Sequence, residues 1–170
     1  MSLLISIPNC YNIQYMKMNI FNKTQNLINR KLIKAIEKAL KNSRAILPID
    51  SKARCNLILF PIKRIRKLNK ELFNRNSLTD VISINNPIYN KKVEIKNTQE
   101  INNLGDIYIC PEVISKNAEK YGTSFQEELA RVIIHGILHL LGYDHKKPFG
   151  ESSENMFKIQ EELIEKIKTN

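Results

Sequence analysis

The stretch that most constrains this chain runs from Ser124 to His145, because it is apolar around much of a helix and yet carries every histidine in the sequence. Leu129, Val132, Ile133, Ile137 and Leu140 recur at helical spacing over more than one face, the pattern of a central, buried helix. Ser124-Phe125-Gln126-Glu127 has the S-x-x-E form of a capping box that would open it. Gly142 is placed to close it as the residue after the C-cap. His135 and His139 are four apart, which stacks both imidazoles on one face, one turn apart. A continuing helix would turn His145 about 120° off that face; a chain reversal at Gly142 would return it to the same spot. Three imidazoles from a helix and its following turn suit a catalytic-type zinc site, with a fourth position for water. Two plainer readings stand beside it: histidines satisfied within a core, and a closed structural zinc site. No cysteine lies near in sequence to complete the latter. Asp144 is placed to orient a ligand, to act on a bound water, or simply to cap the turn.

The spacing His-x3-His-x2-Gly-x2-His is also that of the metzincin proteases, whose motif begins His-Glu. Here Gly136 stands where a zinc peptidase needs its glutamate base. A peptidase is therefore a lesser alternative.

The rest of the chain reads as a single domain, residues 1–170, of α+β (mixed α/β) class: a single layer of about four mixed strands with helices packed around it. A first strand is expected within residues 1–22, then a helix from Thr24 to about Asn42 with Leu27, Ile28, Leu32, Ile36, Ala39 and Leu40 on one stripe. Asn56 to Phe60 reads as a strand ended by Pro61. Lys63 to Asn74 reads as a helix with Ile65, Leu68, Leu72 and Phe73 inward. Thr79 to Ile84 and Gly105 to Cys110 read as strands, and 85–103 between them as a hairpin or loose excursion. Pro111 suits the first position of a helix running to Tyr121 and closed by Gly122. A final helix spans about Ser152 to Lys168, with Met156, Ile159, Leu163 and Ile167 inward.

Charge is uneven. Residues 1–75 carry 16 Lys/Arg against 3 Asp/Glu, while residues 76–170 carry 11 against 14. A basic half beside a near-neutral half that holds the histidines suits a polyanionic partner; a merely lysine-rich composition is the other reading. No apolar run approaches the length of a membrane span. The N-terminal Met1 to Ile7 lacks the basic leader and small-residue cleavage site of a signal peptide. Cys10, Cys55 and Cys110 are odd in number and far apart, as expected of reduced thiols in a cytoplasmic protein.

Three stretches together raise a family. His135-Gly136-Ile137-Leu138-His139-Leu140-Leu141-Gly142-Tyr143-Asp144-His145 resembles the signature of the YbeY-type bacterial rRNA maturation factors, a family of metal-dependent endoribonucleases. Leu104 to Glu112 is similar to that family's strand-to-helix segment, and Leu68-Asn69 followed by Thr79-Asp80-Val81-Ile82-Ser83 to another. The resemblance covers roughly residues 55–165. It implies a mixed sheet with helices around it, and one Zn2+ per chain at His135, His139 and His145 at the mouth of a cleft. It also implies cleavage of single-stranded RNA in late maturation of rRNA (the 16S 3′ end) and in ribosome quality control, with the small ribosomal subunit as partner. The chain departs from the family at Leu72-Phe73, where Tyr-Arg is usual, at Leu78 in place of Pro, and at Ile84-Asn85 in place of Phe-Pro. Arg75 is the nearest substitute for the cleft arginine. A non-catalytic RNA-binding assembly factor with a structural metal is the alternative of a different class.

Overall fold

The structure is a computed structural model that describes residues 16–26, 28–43, 45–47, 49–50, 52–86, 102–143 and 151–169. The expectations for residues 1–15, for Leu27, for the excursion through 87–101, and for Cys10, Asp144 and His145 lie outside the described residues.

Four strands form one mixed sheet: β1 (Lys17–Asn22), β2 (Arg54–Leu59), β3 (Val81–Asn85) and β4 (Asn103–Ile109). Their order is β1-β2-β4-β3. β1 runs parallel to β2 and β2 parallel to β4, whereas β3 pairs antiparallel with β4 along the outer edge. Five helices are described: α1 (Arg30–Asn42), α2 (Ile62–Phe73), α3 (Pro111–Tyr121), α4 (Phe125–Leu140) and α5 (Glu151–Lys168).

Period-two alternation in the strands divides the core. Cys55, Leu57 and Leu59 of β2 and Ile107 and Ile109 of β4 face one way, into the main cluster with α1, α4 and α5. Ile58 of β2 and Ile82 of β3 face the other way and join Phe60, Cys110 and Ile65 of α2. Opposite pointing of successive side chains is what lets one sheet serve both layers. α4 is the centre of the main layer: Leu129, Val132, Ile133, Ile134, Ile137, Leu138 and Leu140 are all buried. At about 1.5–3 kcal/mol for each such side chain, this helix is the most heavily anchored element near the histidines.

Three helix boundaries carry the punctuation read from the sequence. Ser124 accepts the Glu127 N–H at 3.1 Å, which caps α4. Pro111 is the first residue of α3, and Gly122 ends it in the left-handed conformation.

Two readings are corrected. α1 begins at Arg30 rather than Thr24, because Asn29 accepts the Lys31 N–H as the N-cap. The preceding residues turn on their own side chains, with Thr24 N–H donating to Asn22 and Asn26 N–H to Thr24; such local bonds compete with a helix. Ile33, absent from the expected stripe, is buried there. In α2, Ile65 is buried, but Leu72 is 46% and Phe73 51% exposed. Ile65, Leu68 and the buried Asn69 face the rest of the protein, whereas the C-terminal end of α2 points toward open space.

Candidate active site

His135 and His139 lie on the same face of α4, as their spacing requires. Their Nε2 atoms stand 3.1 Å apart and their rings meet edge to face at 4.7 Å. Two imidazole nitrogens held by one zinc at about 2.0–2.1 Å in tetrahedral geometry would be about 3.3 Å apart. The observed separation is close to that value. Among the described residues, no group of three or more His, Cys, Asp or Glu side chains gathers as a metal cage. The third histidine of the sequence reading, His145, and the neighbouring Asp144 lie outside those residues.

The end of α4 is fixed from two sides. Leu141 is its C-cap, and Gly142 follows at φ 91°. Gly142 N–H donates to the His139 carbonyl at 2.9 Å and Tyr143 N–H to the Leu138 carbonyl at 3.0 Å, the two bonds of a Schellman motif. From β3, Asn85 Nδ2 donates to the Leu140 carbonyl at 3.2 Å and to that of His139 at 3.4 Å. Carbonyls that a helix end leaves without partners thus tie the histidine turn to the sheet edge.

Gly136, between the two histidines, lets the helix approach the sheet. A Cβ there would stand 2.8 Å from Ile107 Cγ2 and 3.1 Å from Ser83 Oγ. The glutamate that a zinc peptidase needs at this position would have to displace Ile107, so packing as well as sequence disfavours the peptidase alternative.

The histidines open into a cleft of about 690 Å³ at the β3 edge. Its wall includes Asp80, Ser83, Asn85 and Tyr143, and its rim Phe73 and Arg75. Arg75 thus lines the same cleft as His135 and His139. Two features put it there. Asn74 ends α2 in the left-handed conformation, φ 54°, and buried Asn69 donates to the Ser77 carbonyl at 2.9 Å, pinning the loop that follows. Ser83 Oγ is buried with no hydrogen-bond partner among the described residues, on the wall beside Gly136.

Behind the histidines lies a polar chain that sequence reasoning did not pick out. Gln160 of α5, 3% exposed, has Oε1 3.0 Å from His135 Nδ1. Its Nε2 donates to Glu161 Oε1 at 3.3 Å. Both Glu161 oxygens accept from the Arg131 guanidinium at 3.3 Å. That paired guanidinium, ahead of the Gln160 contact, holds the Glu161 carboxyl below the usual carboxylate range. The available signal was a polar residue on the apolar face of α5, between Ile159 and Leu163.

On fold and site together, the chain is an α+β protein with a paired-histidine cleft at the antiparallel edge of a mixed sheet. Comparison with known proteins makes the assignment specific. Residues 18–168 match the family model described as Endoribonuclease YbeY. An Endoribonuclease YbeY of Bdellovibrio bacteriovorus is 29% identical over 154 residues, 88% of this chain and 94% of the relative. One from Staphylococcus saprophyticus is 31% identical over 85% of this chain and 92% of its own. A solution structure of a Thermotoga maritima protein superposes with a TM-score of 0.58 at 27% identity, covering 89% of each chain. The chain belongs to the YbeY endoribonuclease family.

Proposed function

We propose that this protein is a zinc-dependent, single-strand-specific endoribonuclease acting in late rRNA maturation at the 16S 3′ end and in ribosome quality control, with the small ribosomal subunit as partner. The observation that carries the reading is the convergence of His135 and His139 Nε2 at 3.1 Å inside the cleft that Arg75 also lines. Zinc held there by His135, His139 and His145 would supply Lewis acidity and a water acidified toward neutral pH. The protein's own side chains do the rest. The Arg75 guanidinium meets a phosphodiester oxygen at the rim, a contact worth more in a shielded cleft than in water. Lys63, Arg64, Arg66, Lys67 and Lys70 are exposed along α2, with Glu71 the sole acid of that helix. They form a basic flank leading to the cleft, suited to a phosphate backbone. Phe73 and Tyr143 on the cleft lining suit an unpaired strand, whose bases are free to stack on aromatic rings. The aqueous compartment implied is the cytoplasm; no described helix is long and apolar enough to cross a membrane.

The test couples metal to cleavage. Zinc per chain is counted, and wild type and His139→Ala are incubated with single-stranded RNA, with and without chelator. One zinc per chain, with cleavage lost in both the variant and the chelated sample, supports the reading. Bound zinc with cleavage unchanged by the substitution refutes it and leaves an assembly factor with a structural metal.

A further inference from the structure

We propose that Gln160 is the positioning residue of the histidine site: it holds His135 with its proton on Nδ1, so that the Nε2 lone pair faces His139 and the cleft. The inference rests on the metal reading above only for its consequence, not for its geometry.

The argument is one of donors and acceptors. A carboxylate only accepts, and an amide offers one accepting and one donating end. Glu161 is engaged on both oxygens by Arg131, through Nε and a terminal nitrogen, each at 3.3 Å. Arg131 itself is flanked by Glu127 at 3.6 Å and Glu128 at 3.5 Å, so its guanidinium is held by three carboxylates. With Glu161 fixed as an ionised acceptor, the end of Gln160 that meets it at 3.3 Å must be the NH2. The reverse orientation would set the amide oxygen against a carboxylate oxygen. The Gln160 oxygen therefore faces His135 Nδ1 at 3.0 Å and can only accept, so Nδ1 carries the hydrogen. In a neutral imidazole the other nitrogen is then the acceptor, and that nitrogen, Nε2, is the one 3.1 Å from His139 Nε2.

The arrangement is rigid because it is built on packed elements. Arg131, His135 and His139 succeed one another at four-residue intervals along α4, and Gln160 and Glu161 come from α5, packed against it. Gln160 is 3% exposed, so water does not compete freely for His135 Nδ1. An outer partner of this kind fixes tautomer and ring orientation and raises the basicity of the ligating nitrogen. Sequence spacing alone sets only where the rings stand; Gln160 sets which nitrogen His135 presents.

The experiment has two independent readouts on wild type, Gln160→Leu and Gln160→Glu, each first checked for native circular dichroism. Long-range 1H–15N NMR on the metal-free protein reads the His135 tautomer, and chelator competition reads zinc Kd. The expected result is an Nδ1–H form for His135 in wild type and Gln160→Glu, and a shift toward Nε2–H in Gln160→Leu. Zinc Kd should weaken on the order of 10–100-fold in Gln160→Leu and return to within about threefold of wild type in Gln160→Glu, which restores the acceptor. A His135 tautomer unchanged by Gln160→Leu overturns the proposal. So does a loss of zinc affinity that Gln160→Glu fails to restore, because the side chain would then act by packing alone. Should wild type bind no zinc, the metal reading falls, and the tautomer result still decides the role of Gln160.

Discussion

Replacing Gly136 by alanine should destabilise this protein, although alanine is the better helix former. In an exposed helix the change gains about 1 kcal/mol. Here the new methyl would lie 2.8 Å from Ile107 Cγ2 and 3.2 Å from its Cδ1, against about 3.5–4.0 Å for relaxed carbon contacts. Ile107 is fully buried on β4, with a branched side chain that has few ways to yield. Relief requires helix and strand to part by roughly 0.7–1.2 Å, and overpacking of this kind costs about 1–3 kcal/mol. The net expectation is a loss of about 0–2 kcal/mol, read from urea unfolding midpoints at constant slope. The sharper test is the same substitution in an Ile107→Ala background. That change costs about 2–5 kcal/mol by itself but removes both Ile107 atoms, leaving Ser83 Oγ at 3.1 Å as the remaining close contact. Gly136→Ala should then stabilise by up to about 1 kcal/mol, a coupling of about 1–3 kcal/mol between the sites. Equal effects in both backgrounds, or stabilisation of the wild type by the full helix increment, would refute the packing argument.

Two further outcomes follow from the structure. Gly142→Ala should cost about 1–2 kcal/mol in thermal or urea unfolding from backbone strain alone, since its φ is 91° and a Cβ would meet nothing within 4 Å; an unchanged midpoint would mean that the chain reversal does not need the left-handed residue. Cys55 is fully buried, and burial, with lesser contributions from Glu37 and Asp106, pushes its thiol up to about 12 from an ordinary value near 9. A raised folded pKa favours folding below the unfolded value and loses that contribution as pH rises toward the folded one. Between pH 8 and 10 this thiol alone should lower stability by about 1 kcal/mol, and Cys55→Ala should flatten the unfolding-versus-pH curve by that amount; an unaltered slope would count against a buried, neutral thiol.

How far the sequence reached depended on whether a feature was local. The four-residue spacing of His135 and His139 passes directly into geometry because the helical period is fixed. Ser124, Pro111, Gly122 and Gly142 mark helix ends because each meets a backbone need within a few residues. Phe73 is exposed against its sequence pattern for the opposite reason: its apolarity suits a core, but how far α2 overlaps the sheet is decided by long-range pairing. That β4 lies between β2 and β3 is likewise a matter of non-local register. Gln160 is 25 residues from the imidazole that it meets, and only the packing of α5 on α4 joins them. The start of α1 was missed on local grounds, because Asn22, Thr24 and Asn29 use their own side chains as backbone partners.

The distance in sequence between the histidine helix and Gln160 also gives the site a schedule. His139 precedes Gln160 by 21 residues. At synthesis rates of about 5–20 residues per second, the histidines leave the ribosome roughly 1–4 s before the glutamine. Over that interval His135 and His139 have no amide to select the tautomer of the first, and α4 has no α5 to cover it. An ion met then would be held loosely and exchange readily. On the metal reading, the site would be completed only when the helix that carries Gln160 packs against α4, after the histidines themselves have been made.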